Sequence, residues 1–182
     1  MLRHLKWLAI AMALTGCQKP DEAVKIPPDA TLKDGQIIRK TPVPIYPQAY
    51  TVKLYVSDKA PMQDGFRLDD ASAITLSQAQ RSKLASAFSY IDVLDTVGPV
   101  PDEIAAACFE PHHFFRYYDK AGHMIGEIQL CFCCARAIAS PEVFTDKAYK
   151  DYTRREKRSD VDLSIFYDLI DEMGLNPTVG CG

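Results

Sequence analysis

The stretch from Cys108 to Cys134 constrains the fold of this chain more than any other segment. It contains four of the six cysteines and three of the four histidines. Two segments with the character of strands, 114–118 and 123–132, flank the sequence Asp-Lys-Ala-Gly at 119–122. Asp early and Gly late in so short a connection are typical of a β-hairpin, because Gly readily takes the positive φ that the turn requires. The stretch therefore predicts a central hairpin.

The open end of this hairpin is expected to gather sulfur and imidazole groups. If Tyr118 pairs with His123, Cys108 falls near Cys133 on the neighbouring strand. Pro111 interrupts the ladder, so this register holds only to within about two residues. The residues expected to converge are Cys108, His112 or His113, and the cluster formed by Cys131, Cys133 and Cys134.

The N-terminal residues predict an exported lipoprotein. Arg3 and Lys6 lie in a short basic region before an apolar run at 7–14. This run is shorter than the ~20 residues that a membrane-spanning helix needs. A basic start and a short apolar core are typical of a secretory signal. The Leu-Thr-Gly-Cys sequence that ends at Cys17 resembles the lipobox of bacterial lipoproteins.

This resemblance implies that residues 1–16 are a signal peptide and that Cys17 carries covalent lipid such as palmitate. Such acyl chains anchor a protein to a membrane without a spanning helix. Gln18 stands where Asp would retain a lipoprotein in the inner membrane, so the resemblance implies the periplasmic face of the outer membrane. An ordinary cleaved signal with an incidental cysteine is the alternative.

Charge excludes two classes of partner. The chain has a formal net charge of −3, and removal of residues 1–16 takes away Arg3 and Lys6 but no acidic residue, which leaves −5. That balance provides no electrostatic footprint for nucleic acid or for an anionic lipid surface. The length of 182 residues suits one domain plus a tail.

Residues 17–48 are predicted to be the acylated cysteine and a proline-rich tether, and residues 49–182 a globular domain. An edge strand over 37–45 is the alternative, which Pro42 and Pro44 argue against. Within the domain the patterns predict a strand over 49–57, helices over 77–91 and 162–173, and a charged segment with helical character over 144–158. The basic run at 154–158 is interpreted as a solvated face, with contact to a phosphate or an acidic partner as the alternative.

These elements predict an α+β fold, in which a small antiparallel sheet is built on the central hairpin and two or three helices pack against it. Ser77 and Gln80 have the spacing of a capping box at the start of the first helix. Gly174 has the position expected of a stop after the second helix.

The cysteine stretch is also similar to a pattern in a set of small, uncharacterised exported bacterial proteins. The matching residues are Cys108, Pro111, His113, Tyr118, Asp119, Gly122 and the sequence Cys-Phe-Cys-Cys at 131–134. The resemblance implies that Cys108, His113, Cys131 and Cys134 form a shared group. It leaves Cys133 and Cys181 as extra cysteines available to pair with each other, and it implies no activity.

Three interpretations of the cysteines remain open. The first is structural disulfides, with Cys108 bonded to one member of the 131–134 cluster; one of the five cysteines other than Cys17 is then left over. The second is a Zn²⁺ or Cu(I) site formed by Cys108, His113, Cys131 and Cys134. The third is thiol–disulfide chemistry within the same cluster, although redox pairs of this spacing normally open a helix. His123 at the turn is expected to be exposed.

We therefore expect a lipid-anchored, periplasm-facing binding module rather than an enzyme. The expected partners are the membrane, through the lipid on Cys17, and a protein, but not nucleic acid. One specific hypothesis is an immunity-type lipoprotein that neutralises an effector delivered to the periplasm. The alternative is an envelope protein that binds Zn or Cu, or is thiol-active, through the cysteine–histidine cluster. Other than lipid, we expect no cofactor unless that alternative holds.

Overall fold

The structure is a computed structural model that describes residues 37–94, 109–145, 149–150 and 155–181. In chain order the elements are β1 (Ile37–Pro42), β2 (Thr51–Val56), β3 (Ile74–Thr75), α1 (Gln78–Ala85), β4 (Phe88–Leu94), β5 (His113–Tyr118), β6 (Met124–Cys131), β7 (Arg136–Ser140), β8 (Tyr149–Lys150), β9 (Arg155–Val161) and α2 (Leu163–Glu172). The strands form two antiparallel sheets with the orders β1-β4-β9-β8 and β3-β2-β5-β6-β7. The predicted α+β class is confirmed, with the strands divided between two sheets.

The predicted hairpin lies at the centre of the five-stranded sheet as β5 and β6. Its turn is closed by Asp119, whose carboxylate accepts hydrogen bonds from the backbone N–H groups of Ala121 and His123. This turn takes His123 into the loop, so that Tyr118 pairs with Met124 and the ladder is displaced by up to two residues from the predicted register. Gly122 has a φ of +84°, as the turn chemistry predicts.

One hydrophobic core joins the sheets and the helices. The amphipathic helix α2 buries Phe166, Leu169 and Ile170 against the inner face of the five-stranded sheet, where Phe115 and Ile128 are also fully buried. The predicted helix over 162–173 is confirmed with its stop at a glycine of positive φ. Because β5 and β6 contribute to this core, the hairpin is held rigidly in place.

The first predicted helix is correct only in its first half. Ser77 and Gln80 form the predicted capping box, but α1 ends at Ala85 with Ser86 as its C-cap. The segment Phe88–Leu94 is a strand that pairs with both β1 and β9, which corrects the prediction of helix to residue 91. Aromatic and β-branched residues dominate this segment, and two flanking strands satisfy its backbone.

The predicted boundary between tether and domain is also corrected. Residues 37–42 form the edge strand β1, and Val43, Ile45 and Tyr46 are buried in the core. Pro42 is tolerated because it lies at the end of an edge strand, where a missing N–H does not interrupt a central ladder. The fold therefore includes the chain from residue 37 rather than 49, while the predicted signal peptide and acylated cysteine lie outside the described residues.

The charged segment over 144–158 is not helical where it is described. Residues 149–150 form β8, and Arg155–Val161 form β9. Within β9, Arg158 is paired with Glu156 at 2.7 Å, and the Nζ of Lys157 lies 4.2 Å from the ring centroid of Tyr90. The strand β7, which the sequence analysis did not predict, adds to the hairpin and ends at Ser140, immediately before Pro141.

Candidate functional site

Two disulfides organise the open end of the hairpin. Cys131, the last residue of β6, is bonded to Cys134, so the bridge spans the turn that leads into β7. Cys133 is bonded to Cys181, which lies 48 residues further along the chain. The backbone N–H of Cys134 also donates to the Sγ of Cys131 at 3.2 Å. One bridge therefore closes a local turn, and the other attaches that turn to the C-terminal tail.

Cys133 and Cys181, the two cysteines that the resemblance left available to pair with each other, are bonded to each other in the structure. Cys108 lies outside the described residues. Because Cys131, Cys133 and Cys134 each hold one disulfide bond, a bridge from Cys108 to any of them would require exchange of an existing one. The predicted bridge to Cys108 stays a prediction.

The two adjacent histidines of this end are almost completely buried. The Nδ1 of His112 donates to the backbone carbonyl of Ser57 at 2.9 Å, and the Nε2 of His113 donates to the carbonyl of Asn176 at 3.0 Å. Each carbonyl can only accept, so these bonds fix which ring nitrogen carries the proton. Burial lowers the pKa of His113 to about 4, although its bond to Asn176 opposes this shift.

The tail over residues 174–181, which we term the C-terminal cap, covers these histidines. Gly180, with a φ of +77°, lies so close to the His112 imidazole that a Cβ at this position would overlap the ring. The ring of Phe132 packs edge-on against His113, with centroids 5.4 Å apart. The bridge through Cys181 fastens the cap covalently. The cap therefore seals the histidine pair from solvent.

This arrangement limits the chemistry available at the predicted metal site. Cys131 and Cys134 are joined to each other, so in this state neither sulfur is a thiolate ligand. His113 has its Nε2 engaged by the cap. Within the described ranges, no group of three or more His, Cys, Asp or Glu residues has a geometry that could hold a metal ion. The structure thus brings the histidines and the cysteine turn together without assembling them as ligands.

His123 lies at the other end of the hairpin and is exposed, as the sequence analysis predicted. Its side chain is 79% exposed, and its Nδ1 lies 3.3 Å from the carboxylate of Asp119. That contact is local to the turn and does not involve the cysteines.

The sequence analysis missed a second polar cluster, on the outer face of the five-stranded sheet. The hydroxyl of Tyr55 donates to Asp70 at 2.5 Å and accepts from the hydroxyl of Tyr118 at 2.8 Å. Arg116 lies over the Tyr55 ring and donates to Glu127 at 2.6 Å. Burial and these bonds raise the pKa of Tyr55 far above its usual value of about 10. The members come from β2, β5, β6 and the loop before β3, so only the strand pairing could have revealed the cluster.

No protein-family model matches this chain, and neither a curated protein nor a solved structure matches it.

Proposed function

We propose that the protein is a lipid-anchored lipoprotein of the bacterial outer membrane, whose periplasm-facing domain binds a partner protein and catalyses no reaction. The observation that carries this proposal is the long-range bridge between Cys133 and Cys181. Disulfides that hold a fold together persist in oxidising compartments such as the periplasm and are rare in the cytosol. This agrees with the predicted export signal and with the lipobox-like sequence that ends at Cys17.

The size of the stabilisation supports a structural role for this bridge. A loop of 48 residues closed by a disulfide is expected to stabilise the fold by about 4 kcal/mol through the lost entropy of the unfolded chain. The bridge of Cys131 to Cys134 closes a much shorter loop, and the same relation gives about 2 kcal/mol. Together these values are a large part of the stability of an ordinary domain.

The state of the histidines favours binding over catalysis. A general base must reach the proton that it removes, at about hydrogen-bond distance from the substrate. His112 is 4% exposed and His113 is 1% exposed, and each uses one ring nitrogen to fix a backbone carbonyl. Neither of these two buried histidines can therefore reach a substrate as a general base, and a small anchored domain of this kind suits a role in capturing another protein. An immunity-type lipoprotein is one specific form of that role.

The anchor is tested by fractionating cells that produce the full chain. Cys17→Ala should release the domain into the soluble periplasm, because the acyl chains are lost. Gln18→Asp should leave the protein membrane-bound but move it to the inner-membrane fraction, so it serves as the matched control for sorting. Retention of the Cys17→Ala protein in membranes would contradict the lipoprotein assignment.

The state of the cysteines is tested by intact mass after anaerobic alkylation, with metal analysis alongside. Two bridges among the five cysteines other than Cys17 leave one alkylated thiol, and we expect no stoichiometric Zn or Cu. Three or more alkylated thiols with bound metal would instead support the alternative function, a metal or thiol-active site at Cys108, His113, Cys131 and Cys134.

The binding role is tested by cross-linking in intact cells followed by purification of the anchored protein. We expect one envelope or effector protein in stoichiometric amount. Its absence from cells grown with and without competing bacteria would contradict both the binding module and the immunity-type hypothesis.

A further inference from the structure

The two disulfides at the cysteine end of the hairpin differ in exposure. Cys133 and Cys181 are both exposed, so the bridge between them lies at the surface. Cys131 is 2% exposed and Cys134 is half-buried, so their bridge is largely enclosed. A thiolate breaks a disulfide by attacking one of its sulfur atoms directly, and the rate depends on access to that atom. Of these two bridges, the long-range one is therefore the more accessible to a protein reductant.

The noncovalent contacts between the C-terminal cap and the hairpin centre on the two buried histidines. The Nε2 of His113 donates to the carbonyl of Asn176 at 3.0 Å, and Gly180 packs against the His112 ring. Pro177, between these two contacts, is also buried. A hydrogen bond from a neutral donor to a carbonyl contributes only modestly, because water replaces it when the segment opens. The disulfide is therefore the contact that most limits opening of the cap.

The far part of the cap has hydrogen bonds of its own. The backbone N–H of Thr178 donates to the side-chain oxygen of Asn176, and the N–H of Cys181 donates to the carbonyl of Thr178. These bonds lie within the cap, so they are kept when it moves away from the hairpin. Leu175, at the start of the cap, packs against the core. Residues 176–181 are therefore expected to separate from the hairpin as a unit, while Leu175 stays in place.

We propose that the bridge between Cys133 and Cys181 is a reversible redox switch, which a protein dithiol reduces to release the cap from His112 and His113. One thiolate of the dithiol attacks a sulfur of the bridge, forms a mixed disulfide with it and expels the other sulfur as a thiolate. The second thiolate of the dithiol then attacks the mixed disulfide and releases the remaining cysteine. The dithiol gives two electrons and becomes a disulfide, and its two protons end on Cys133 and Cys181.

This inference goes beyond the proposed function, because it concerns how the cysteine end opens and not which protein the domain binds. The bridge stabilises the fold while it is oxidised, so the structural role and the switch belong to the two states of one bond. The switch requires that reduction acts locally. We expect this because side chains of the sheet and of α2, among them Phe115, Ile128 and Phe166, form a fully buried core.

The first experiment measures which bridge is reduced. The full chain in detergent micelles is treated with reduced thioredoxin, a protein dithiol, and samples are quenched with N-ethylmaleimide for peptide mass spectrometry. We expect Cys181 to be labelled roughly tenfold faster than Cys131, because the bridge that contains Cys181 lies at the surface. Equal rates, or faster labelling of Cys131, would overturn the switch.

The second experiment measures whether the cap opens. Diethyl pyrocarbonate acylates accessible neutral imidazoles, and the exposed His123 is the internal standard. After reduction and thiol blocking, the reaction of His112 and His113 relative to His123 should rise roughly tenfold through local opening. Reoxidation of a sample that was not blocked should restore their protection. Histidines that stay protected in the reduced protein would overturn the inference.

Two double variants and a measurement on the core separate the switch from unfolding. Cys133→Ser/Cys181→Ser should give reactive histidines without reductant. Cys131→Ser/Cys134→Ser is the matched control, and its histidines should stay protected until thioredoxin is added. Amide hydrogen exchange of β5 and β6 is followed in every sample. Reactive histidines with protected strand amides would support the switch, whereas loss of both protections together would show that the bridge is only structural and would overturn it.

Discussion

The two ends of the central hairpin differ in how the rest of the chain packs around them. At the end that holds the cysteines, two disulfides and the C-terminal cap enclose a pair of buried histidines. At the turn end, a cavity of about 240 Å³ lies between α1, β2, β5 and the segment after β1, and Tyr50 and Met124 are exposed at this end of the sheet. The chain covers the first end with its own tail, and it leaves the second end open.

This difference shows that residue types associated with chemistry can serve architecture. Cysteines and histidines mark one end of the hairpin in the sequence. In the structure these cysteines form disulfides within the chain, and the histidines donate to its backbone carbonyls. No sequence pattern marks the opposite end, because its residues, among them Tyr117, Arg81 and Tyr50, are common types.

The largest effect is expected from removing the long-range disulfide at the cysteine end of the hairpin. Cys133→Ser/Cys181→Ser should lower the free energy of unfolding by about 4 kcal/mol, because a long loop is no longer closed in the unfolded chain. Cys131→Ser/Cys134→Ser should lower it by about 2 kcal/mol, because that loop is short. Urea unfolding measures both. Equal losses for the two double variants would contradict the loop-entropy argument.

The next effect is a pH dependence that comes from His113 at the cysteine end of the hairpin. His113 has a pKa lowered to about 4 in the folded protein, whereas its value in the unfolded chain is about 6.5. The unfolded chain therefore binds the proton first, and stability should fall by up to about 3 kcal/mol as the pH drops from about 6.5 to about 4. His113→Gln should remove this slope in urea titrations, and His123→Gln at the exposed turn should not. An unchanged slope in the first variant would place the titration elsewhere.

Two glycines with positive φ allow a direct comparison of the ends. Gly122 has open space around it at the turn, so Gly122→Ala should cost only the backbone term of roughly 1–2 kcal/mol. Gly180 faces the His112 ring, so Gly180→Ala should cost a further 1–3 kcal/mol, roughly, from steric overlap. Differential scanning calorimetry of both variants gives the difference. If the two losses are the same, the cap does not pack on the histidines as described.

The smallest effect is expected near the turn end of the hairpin. Tyr117→Phe removes a buried hydroxyl that has no hydrogen-bond partner among the residues that the structure describes, so it should leave the free energy of unfolding unchanged or raise it by about 1 kcal/mol. Tyr55→Phe is the matched control, because it removes a hydroxyl bonded to both Asp70 and Tyr118 and should destabilise by about 1–3 kcal/mol. Destabilisation by Tyr117→Phe comparable to that of Tyr55→Phe would show that the hydroxyl is already satisfied.

Local signals in the sequence predicted the elements whose causes are local. The capping box of Ser77 and Gln80, the turn at Asp119–Gly122 and the apolar stripe of α2 each depend on residues within a few positions of one another. The first part of the strand Phe88–Leu94, residues 88–91, was predicted as helix because it continues a spacing that suits a helix, while its strand partner in β9 lies more than 60 residues away. In this segment, pairing with the distant strand β9 outweighs the local helical pattern.

The candidate sites were predictable to different degrees for the same reason. The gathering of His112, His113 and the cysteine turn followed from the hairpin, which is local. The cap did not, because it depends on Gly180 meeting a ring almost 70 positions earlier in the chain. The lack of a hydrogen-bond partner for the Tyr117 hydroxyl depends on packing on every side of it, and no pattern in the sequence predicts it.

The adjacency of Cys133 and Cys134 has a consequence for how the protein matures. Neighbouring residues are bonded to different partners, so oxidation can also yield an isomer in which Cys134 holds the tail and Cys131 is joined to Cys133. Four cysteines allow three pairings, and these two differ by a shift of one residue. An oxidase that only inserts disulfides does not distinguish them, whereas an isomerase samples both. We expect the close fit of the cap over His112 to favour the observed pairing, so that packing decides which isomer persists.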